Sequence, residues 1–211
     1  MDVSNDINKI IEETKDVCLV AATKYVDSVD MLKLLDYGIN NFGENRVDAF
    51  LDKYNNLKDK EIVWHFIGHL QRNKALKVID KIDYLHSLDS LKLAKIINDF
   101  RSTPLNCFIE VNLNKEESKD GVMLEDLENF ILEVIKYPNV NIVGLMTMTM
   151  KNDSMFGKLN QFEVLKDLKE KINEKYNLDM KYLSMGMSDD YLEALKASST
   201  HVRLGRILWK N

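Results

Sequence analysis

Eight short apolar runs recur along the chain, separated by segments with helical patterns. They cover residues 17–22, 40–42, 62–67, 83–87, 106–112, 141–146, 181–184 and 200–204. Near-continuous runs of this length are typical of strands that are buried on both faces of a parallel sheet. Eight strand–helix units within 211 residues predict an α/β fold of the (β/α)₈ TIM-barrel type, with residues 1–211 as one domain. An open doubly wound sheet is the alternative, but no glycine-rich dinucleotide fingerprint follows the first run.

The segments between the runs carry helix signals. We expect Ser4 to cap an opening helix, and Ser188 to cap a short helix whose first turn holds Asp189 and Asp190. The longest helix is predicted over about 155–176, where apolar residues recur at steps of three and four.

Composition excludes several classes of partner. The net charge is −5, so neither nucleic acid nor an anionic membrane surface is an expected partner. No apolar stretch is long enough to cross a bilayer, and the polar N-terminus does not resemble a signal peptide. Cys18 and Cys107 both fall inside apolar runs, which favours buried, reduced thiols. We therefore expect a cytoplasmic protein, and a monomer.

Polar and glycine residues follow the runs, where a barrel places its active site. Lys24 ends the first run, and Ser184-Met185-Gly186 and Arg203-Leu204-Gly205 belong to the last two. Loops after the last two strands of a barrel often bind phosphate. An amine facing such a site fits a Schiff base with pyridoxal phosphate or with a sugar-phosphate carbonyl. A surface lysine that simply ends a strand is the alternative for Lys24.

The histidines do not indicate a metal site. His65 and His69 are four residues apart, as in helical zinc sites, but they fall in a strand-like run with no glutamate after His65. His86 fits a hydrogen-bonded residue at a strand end better than a catalyst. No metal is expected.

Seven motifs, in chain order, carry a resemblance to a known family. They are Phe42-Gly43-Glu44-Asn45, His65-Phe66-Ile67-Gly68-His69-Leu70-Gln71-Arg72-Asn73-Lys74, His86-Ser87-Leu88-Asp89-Ser90, Glu117-Ser118-Lys119-Asp120-Gly121, Gly144-Leu145-Met146, Ser184-Met185-Gly186-Met187-Ser188-Asp189-Asp190 and Val202-Arg203-Leu204-Gly205. Together they resemble the pyridoxal-phosphate homeostasis protein family, single-domain relatives of the alanine racemase barrel. The resemblance runs from about Val17 to Gly205.

The resemblance implies a barrel of the alanine racemase N-terminal domain type that binds pyridoxal 5′-phosphate. By that resemblance Lys24 forms the Schiff base, and Arg203 matches the arginine that faces the pyridine nitrogen in alanine racemases. The remaining residues implied to bind the cofactor are Asn45 and Met146 in the pocket, Ser184 and Gly186 at the phosphate, and Gly205 with the backbone of Arg206 as amide donors. An arginine at the ring nitrogen keeps that nitrogen unprotonated and weakens the ring as an electron sink.

The chain departs from the family pattern close to this site. The usual Ser-Lys-Thr-x-Pro is replaced by residues 23–27, Thr-Lys-Tyr-Val-Asp, so the loop after Lys24 lacks a proline. Arg206 stands where a threonine is usual, and Asp48 where a glutamine is common. These changes bear on phosphate affinity more than on which cofactor is bound.

The expected function is that of a cofactor carrier in vitamin B6 homeostasis that supplies apo-enzymes and has no catalytic turnover. The first alternative is an amino-acid racemase, which would need a second base that alanine racemases take from an additional domain. The second is a phosphosugar aldolase or isomerase, for which Glu44 is the candidate acid/base carboxylate.

Overall fold

A computed structural model of the chain describes residues 1–113, 120–150 and 152–210. Its centre is a closed barrel of parallel strands, which confirms the predicted (β/α)₈ architecture. The strands are β1 (Cys18–Ala22), β2 (Asn41–Glu44), β3 (Val63–Phe66), β4 (Tyr84–Leu88), β5 (Leu105–Asn112), β6 (Val122–Met123), β7 (Val140–Met146), β8 (Tyr182–Met187) and β9 (His201–Leu204). All except the two-residue β6 fall on the eight predicted runs, so β8 and β9 are the seventh and eighth strands of the barrel.

The strand order explains how the barrel closes. Neighbouring strands follow the order β4-β3-β2-β1-β9-β8-β7-β5-β6, and β4 also pairs with β5, as in the partners Tyr84 and Asn106. All these pairs are parallel, so every barrel strand delivers its C-terminal end to the same rim. Among the described residues, the short β6 pairs only with the end of β5, and it stands outside the ring.

Helices surround the barrel. They are α1 (Ile7–Glu13), α2 (Ser28–Leu35), α3 (Val47–Leu57), α4 (Arg72–Ala75), α5 (Leu91–Phe100), α6 (Leu127–Val134), α7 (Met155–Tyr176) and α8 (Tyr191–Lys196), followed by a 3₁₀ turn over Arg206–Leu208. The large hydrophobic cluster lies between these helices and the outer faces of the strands. A second, small cluster is formed by Phe108, Val143 and Met146, and polar side chains occupy much of the barrel interior near it.

Two helix starts differ from the sequence prediction. The first helix begins at Ile7, since Ser4 accepts a hydrogen bond from the backbone N–H of Asp6 and caps nothing. The last begins at Tyr191, after both acidic residues that were expected in its first turn. Asp190 uses its carboxylate to close the preceding turn, accepting the backbone N–H of Met187 at 2.6 Å.

Both cysteines are free. Burial was predicted for both thiols, and Cys107 is buried, but the prediction is wrong for Cys18, which is half-buried. Among the described residues, none of the helices combines the length and the apolar character that crossing a membrane requires.

Candidate functional site

Lys24 lies in a tight turn at the barrel rim, directly after β1. The turn runs from Thr23 to Val26, and the backbone N–H of Val26 donates to the carbonyl of Thr23 at 3.1 Å. Thr23 is buried, whereas Lys24 is exposed and its Nζ lies 4.6 Å from the ring centroid of Tyr25. The structure therefore presents an accessible primary amine at the C-terminal edge of the barrel.

The ends of β8 and β9 meet next to this turn. β9 pairs with β1, where Leu204 lies opposite Ala21, and with β8 on its other side. Beyond the strands, the backbone N–H of Gly205 donates to Ser188 Oγ at 3.2 Å. A hydroxyl and a loop amide thus meet one strand away from Lys24. Backbone amides and hydroxyls are the groups that hold phosphate oxygens at barrel rims.

The acidic residues of this loop are neutralised or turned inward. The exposed Asp189 accepts a hydrogen bond from the guanidinium of Arg206 at 2.5 Å. The buried Asp190 accepts from Thr149 Oγ1 at 2.6 Å as well as from the backbone of Met187. The charge of Arg206 offsets the Asp189 carboxylate, which would otherwise repel a dianion here.

Gly186 has a structural reason to be glycine. Its φ is +96°, and a Cβ at this position would lie 2.6 Å from Ala194 Cβ and 3.0 Å from Tyr191 Cα. The residue thus lets the end of β8 pack closely against α8, in addition to any contact with a ligand.

Ser184 and Arg203 lie together inside the barrel wall. Both are buried, and the guanidinium of Arg203 donates to the hydroxyl and to the carbonyl of Ser184, the latter at 2.9 Å. Its other terminal nitrogen donates to the carbonyl of Thr147 at 3.0 Å. Burial lowers the pKa of Arg203 to about 10, against the opposing effect of Glu110 and Asp190, so the group remains a cation at neutral pH.

A directed chain of hydrogen bonds continues from Ser184 through the interior. Arginine can only donate, so the Ser184 hydroxyl proton is left to donate to His86 Nδ1, at 2.7 Å. His86 Nε2 then donates to His65 Nδ1 at 2.9 Å, and His65 Nε2 to Asn41 Oδ1 at 3.0 Å. Burial lowers the pKa of His65 to about 3 and that of His86 well below its ordinary value. Both rings are neutral, and His86 is the hydrogen-bonded residue that the sequence predicted.

This geometry differs from the direct phosphate contact predicted for Ser184. Its hydroxyl is fully buried and has partners on two sides, whereas Ser188 lies half-buried at the rim beside Gly205. Ser188 was interpreted as a helix cap. Its position after the last residue of β8, on the rim side of the same motif, was the signal that could have placed it at the rim.

Asn45 and Met146 provide a test of fit for a ligand. Asn45 Oδ1 is buried and has no hydrogen-bond partner among the described residues. A buried acceptor without a partner is unfavourable unless a donor reaches it, so a ligand donor at this edge of the rim suits the site. Met146 is buried at the end of β7 and packs with Phe108 in the small hydrophobic cluster, so its place in a pocket wall stays a prediction.

Glu110 is a buried carboxyl that the sequence analysis did not single out. It is 4% exposed, and burial raises its pKa to about 7, with Arg203 opposing the shift. An acidic residue inside the apolar run of β5 was the available signal, because glutamate is rarely buried without a reason. By contrast, Glu44 is committed to an ion pair with Lys53, which removes it as a free acid/base group.

His65 and His69, which were considered as a zinc pair, lie in different surroundings. His65 is buried in the interior, whereas His69 is exposed at the rim, 3.1 Å from Asp89 and 3.2 Å from Asp120. These three side chains border a cavity of about 1140 Å³, which is also lined by Arg72 and by other residues of α4, α5 and α6. The cavity lies on the other side of the rim from β9.

Comparison with known proteins gives consistent results. The family described as "Alanine racemase, N-terminal domain" matches residues 4–211. A pyridoxal phosphate homeostasis protein from Aquifex aeolicus is 33% identical over 99% of this chain and 98% of its own length, and one from Synechocystis is 37% identical over 92% and 90%. The structure of PipY from Synechococcus elongatus with pyridoxal phosphate bound has a TM-score of 0.86 at 27% identity, covering 92% of this chain and 93% of PipY.

These matches also support the barrel type inferred from the motifs. An alanine racemase from Corynebacterium glutamicum shares the fold with a TM-score of 0.76 at 14% identity, over 99% of this chain and 61% of the racemase. Of the seven motifs, only Glu117, Ser118 and Lys119 lie outside the described residues. The full-length matches at 33% and 37% identity establish that this chain belongs to the pyridoxal phosphate homeostasis protein family, on the barrel of the alanine racemase N-terminal domain.

Proposed function

We propose that this protein binds pyridoxal 5′-phosphate and acts in intracellular vitamin B6 homeostasis, without catalytic turnover. The observation that carries the proposal is the adjacency of Lys24, at the end of β1, to the hydroxyl and amide of Ser188 and Gly205, at the ends of β8 and β9. An amine and an anion site at neighbouring strand ends suit a ligand that carries both an aldehyde and a phosphate. PipY, which is 27% identical, has been solved with pyridoxal phosphate bound.

Each residue of the rim has a role in this proposal. The ε-amine of Lys24 holds the aldehyde as a Schiff base. The Ser188 hydroxyl, whose oxygen accepts the Gly205 N–H, donates its proton to the phosphate, and the amide of Arg206 donates beside it. Gly186 shapes the same loop. Asn45 accepts a hydrogen bond from the ligand, and Met146 forms part of the pocket wall. Ser184 acts behind the phosphate, by orienting Arg203 from the interior.

Arg203 supports the absence of turnover. Its guanidinium is a cation at neutral pH and is held by Ser184 of β8 and by Thr147, directly after β7. By the resemblance to alanine racemases, this guanidinium faces the pyridine nitrogen of the cofactor. A cation there opposes protonation of that nitrogen, and without that proton pyridoxal phosphate is a weaker electron sink. We further propose that residues 1–211 work as one cytoplasmic, monomeric domain that passes the cofactor to apo-enzymes.

One observation favours the alternative of racemase-like chemistry. The carboxyl of Glu110, with a pKa raised to about 7 by burial, is suited to exchange a proton near neutral pH. Turnover of D- or L-alanine that is lost in both Lys24→Ala and Glu110→Gln would replace the carrier proposal by this one.

The cofactor proposal is tested by absorbance and chemical labelling. With added pyridoxal phosphate, the protein should gain a band at about 420 nm, and borohydride should fix a pyridoxyl group on Lys24. Lys24→Arg is the matched control, since it retains the charge but cannot form the bond. A label on another lysine, or none, contradicts the proposal. Restoration of an apo-enzyme by loaded protein tests the role in cofactor supply.

A further inference from the structure

The turn that carries Lys24 is held by a side chain of α3 as well as by its own backbone hydrogen bond. The ammonium of Lys53, from the middle of α3, donates to the carbonyl of Thr23 at 2.5 Å. That carbonyl also accepts the backbone N–H of Val26, which closes the turn. The carbonyl oxygen of Thr23, where the Lys24 turn begins, is therefore held from the core side by the Lys53 side chain of α3.

Lys53 is in turn held by Glu44, at the end of β2. The Lys53 ammonium donates to Glu44 Oε2, and the exposed fractions of the two side chains are 9% and 0%. The other carboxylate oxygen accepts the backbone N–H of Asn45 at 2.8 Å, and Thr23 Oγ1 lies 3.4 Å from Oε2. The pair thus joins the ends of β1 and β2 to α3.

Packing alone does not call for a lysine at this position. Lys53 lies on the buried stripe of α3, between Phe50 and Leu57, where an apolar residue would be ordinary. A buried ion pair is seldom more stabilising than well-packed apolar residues of similar volume. The property that a lysine adds at this position is its donation to the Thr23 carbonyl.

We propose that Lys53, oriented by Glu44, is a positioning residue for Lys24. The proposal rests on the proposed function of Lys24. The neutral ε-amine of Lys24 would add to the aldehyde carbon: a C=N bond replaces the C=O bond, and the aldehyde oxygen leaves as water with the two protons of the amine. Lys53 touches none of the reacting atoms. It fixes the backbone from which Lys24 extends, in a loop whose sequence, Thr-Lys-Tyr-Val-Asp, has no proline to restrict it.

The experiment compares two ligands that differ only in the group that reacts with Lys24. Pyridoxal 5′-phosphate has the aldehyde, and pyridoxine 5′-phosphate has an alcohol that cannot form the bond. In Lys53→Met, affinity for the aldehyde should fall at least about tenfold, while affinity for the alcohol stays within about twofold of the wild type. Lys53→Arg, which can donate to the same carbonyl, should recover part of the loss.

Two further variants separate positioning from folding. The double variant Glu44→Gln with Lys53→Met leaves no unpaired buried charge and should show the same selective loss. Lys58→Met removes an exposed lysine from the end of the same helix and should change neither affinity. Equal losses for both ligands in Lys53→Met and in the double variant, or no loss in either, overturn the proposal. A wild-type protein that does not prefer the aldehyde overturns the proposed function itself.

Discussion

At the scale of single residues, the two serines of one motif have different surroundings. Ser184 is inside the barrel between Arg203 and His86, whereas Ser188 is at the rim beside Gly205. The motif names both, but only the register of β8 decides which one faces a ligand. Our proposal gives the phosphate contact to Ser188, and a substitution at each serine distinguishes the two assignments.

Ser188→Ala should weaken binding of pyridoxine 5′-phosphate by about 1–3 kcal/mol, the range for losing a hydrogen bond to a charged group. It should leave the weak binding of pyridoxine, which has no phosphate, unchanged. Ser184→Ala is the matched control and should have the smaller effect on the phosphate ester. Titration of both ligands into each variant measures this. A larger loss in Ser184→Ala would return the phosphate contact to Ser184.

The sequence predicted the positions of some residues and missed those of others for identifiable reasons. Lys24 was placed at the barrel rim because it ends an apolar run, and the position of a strand end is set by local sequence; its role as the Schiff-base lysine stays a prediction. Lys53 was missed although it falls at a buried position of α3, because its partners Thr23 and Glu44 are 30 and 9 residues away. Contacts of this kind depend on how elements pack, which apolar periodicity does not specify.

At the scale of elements, the strands were more predictable than the helix ends. The eight barrel strands follow from apolar runs, whereas the start of α8 was placed too early because Asp190 bonds to Met187 and Thr149.

One close contact between strands depends on a single residue. A Cβ on Gly144 of β7 would lie 2.0 Å from the carbonyl oxygen of Tyr182 on β8.

Gly144→Ala should therefore lower the free energy of unfolding by about 3 kcal/mol, at the upper end for overpacking, because β7 and β8 must separate. Gly157→Ala is the matched control, since its Cβ would come no closer than 3.4 Å to any neighbour. In the first turn of α7 the alanine should be neutral, or stabilising by up to about 1 kcal/mol. Urea unfolding of both variants gives the comparison. Similar effects in the two would contradict the close approach of β7 and β8.

At the scale of the whole molecule, the protein has two buried regions of different character, one around the barrel and one inside it. The apolar cluster between strands and helices is continuous, as the sequence pattern indicates. The inside of the barrel instead contains His65, His86, His201, Glu110 and Arg203, all at most 5% exposed. Burying neutral histidines and a cation in one space makes folding depend on pH, because the unfolded chain has no such restraint on protonation.

The sign of that dependence differs between His65 and Glu110. Burial lowers the pKa of His65 from 6.5 to about 3, so the unfolded chain takes up a proton as pH falls through 6.5 and the folded protein does not. The contribution of His65 is thus complete above pH 6.5 and declines on acidification. Burial raises the pKa of Glu110 from 4.5 to about 7, so its contribution is complete below pH 4.5 and declines as pH rises to 7.

Two variants should therefore tilt the pH profile of stability in opposite directions. When the pH falls from 7 to 5, the free energy of unfolding of His65→Gln should decline by about 2 kcal/mol less than that of the wild type, because glutamine does not titrate. Over the same interval Glu110→Gln should steepen the decline by about 2 kcal/mol, because it removes a gain on acidification. Urea unfolding at both pH values, with each variant referred to the wild type, measures the two slopes. Parallel profiles for all three proteins would mean that neither side chain is buried in the state that this structure describes.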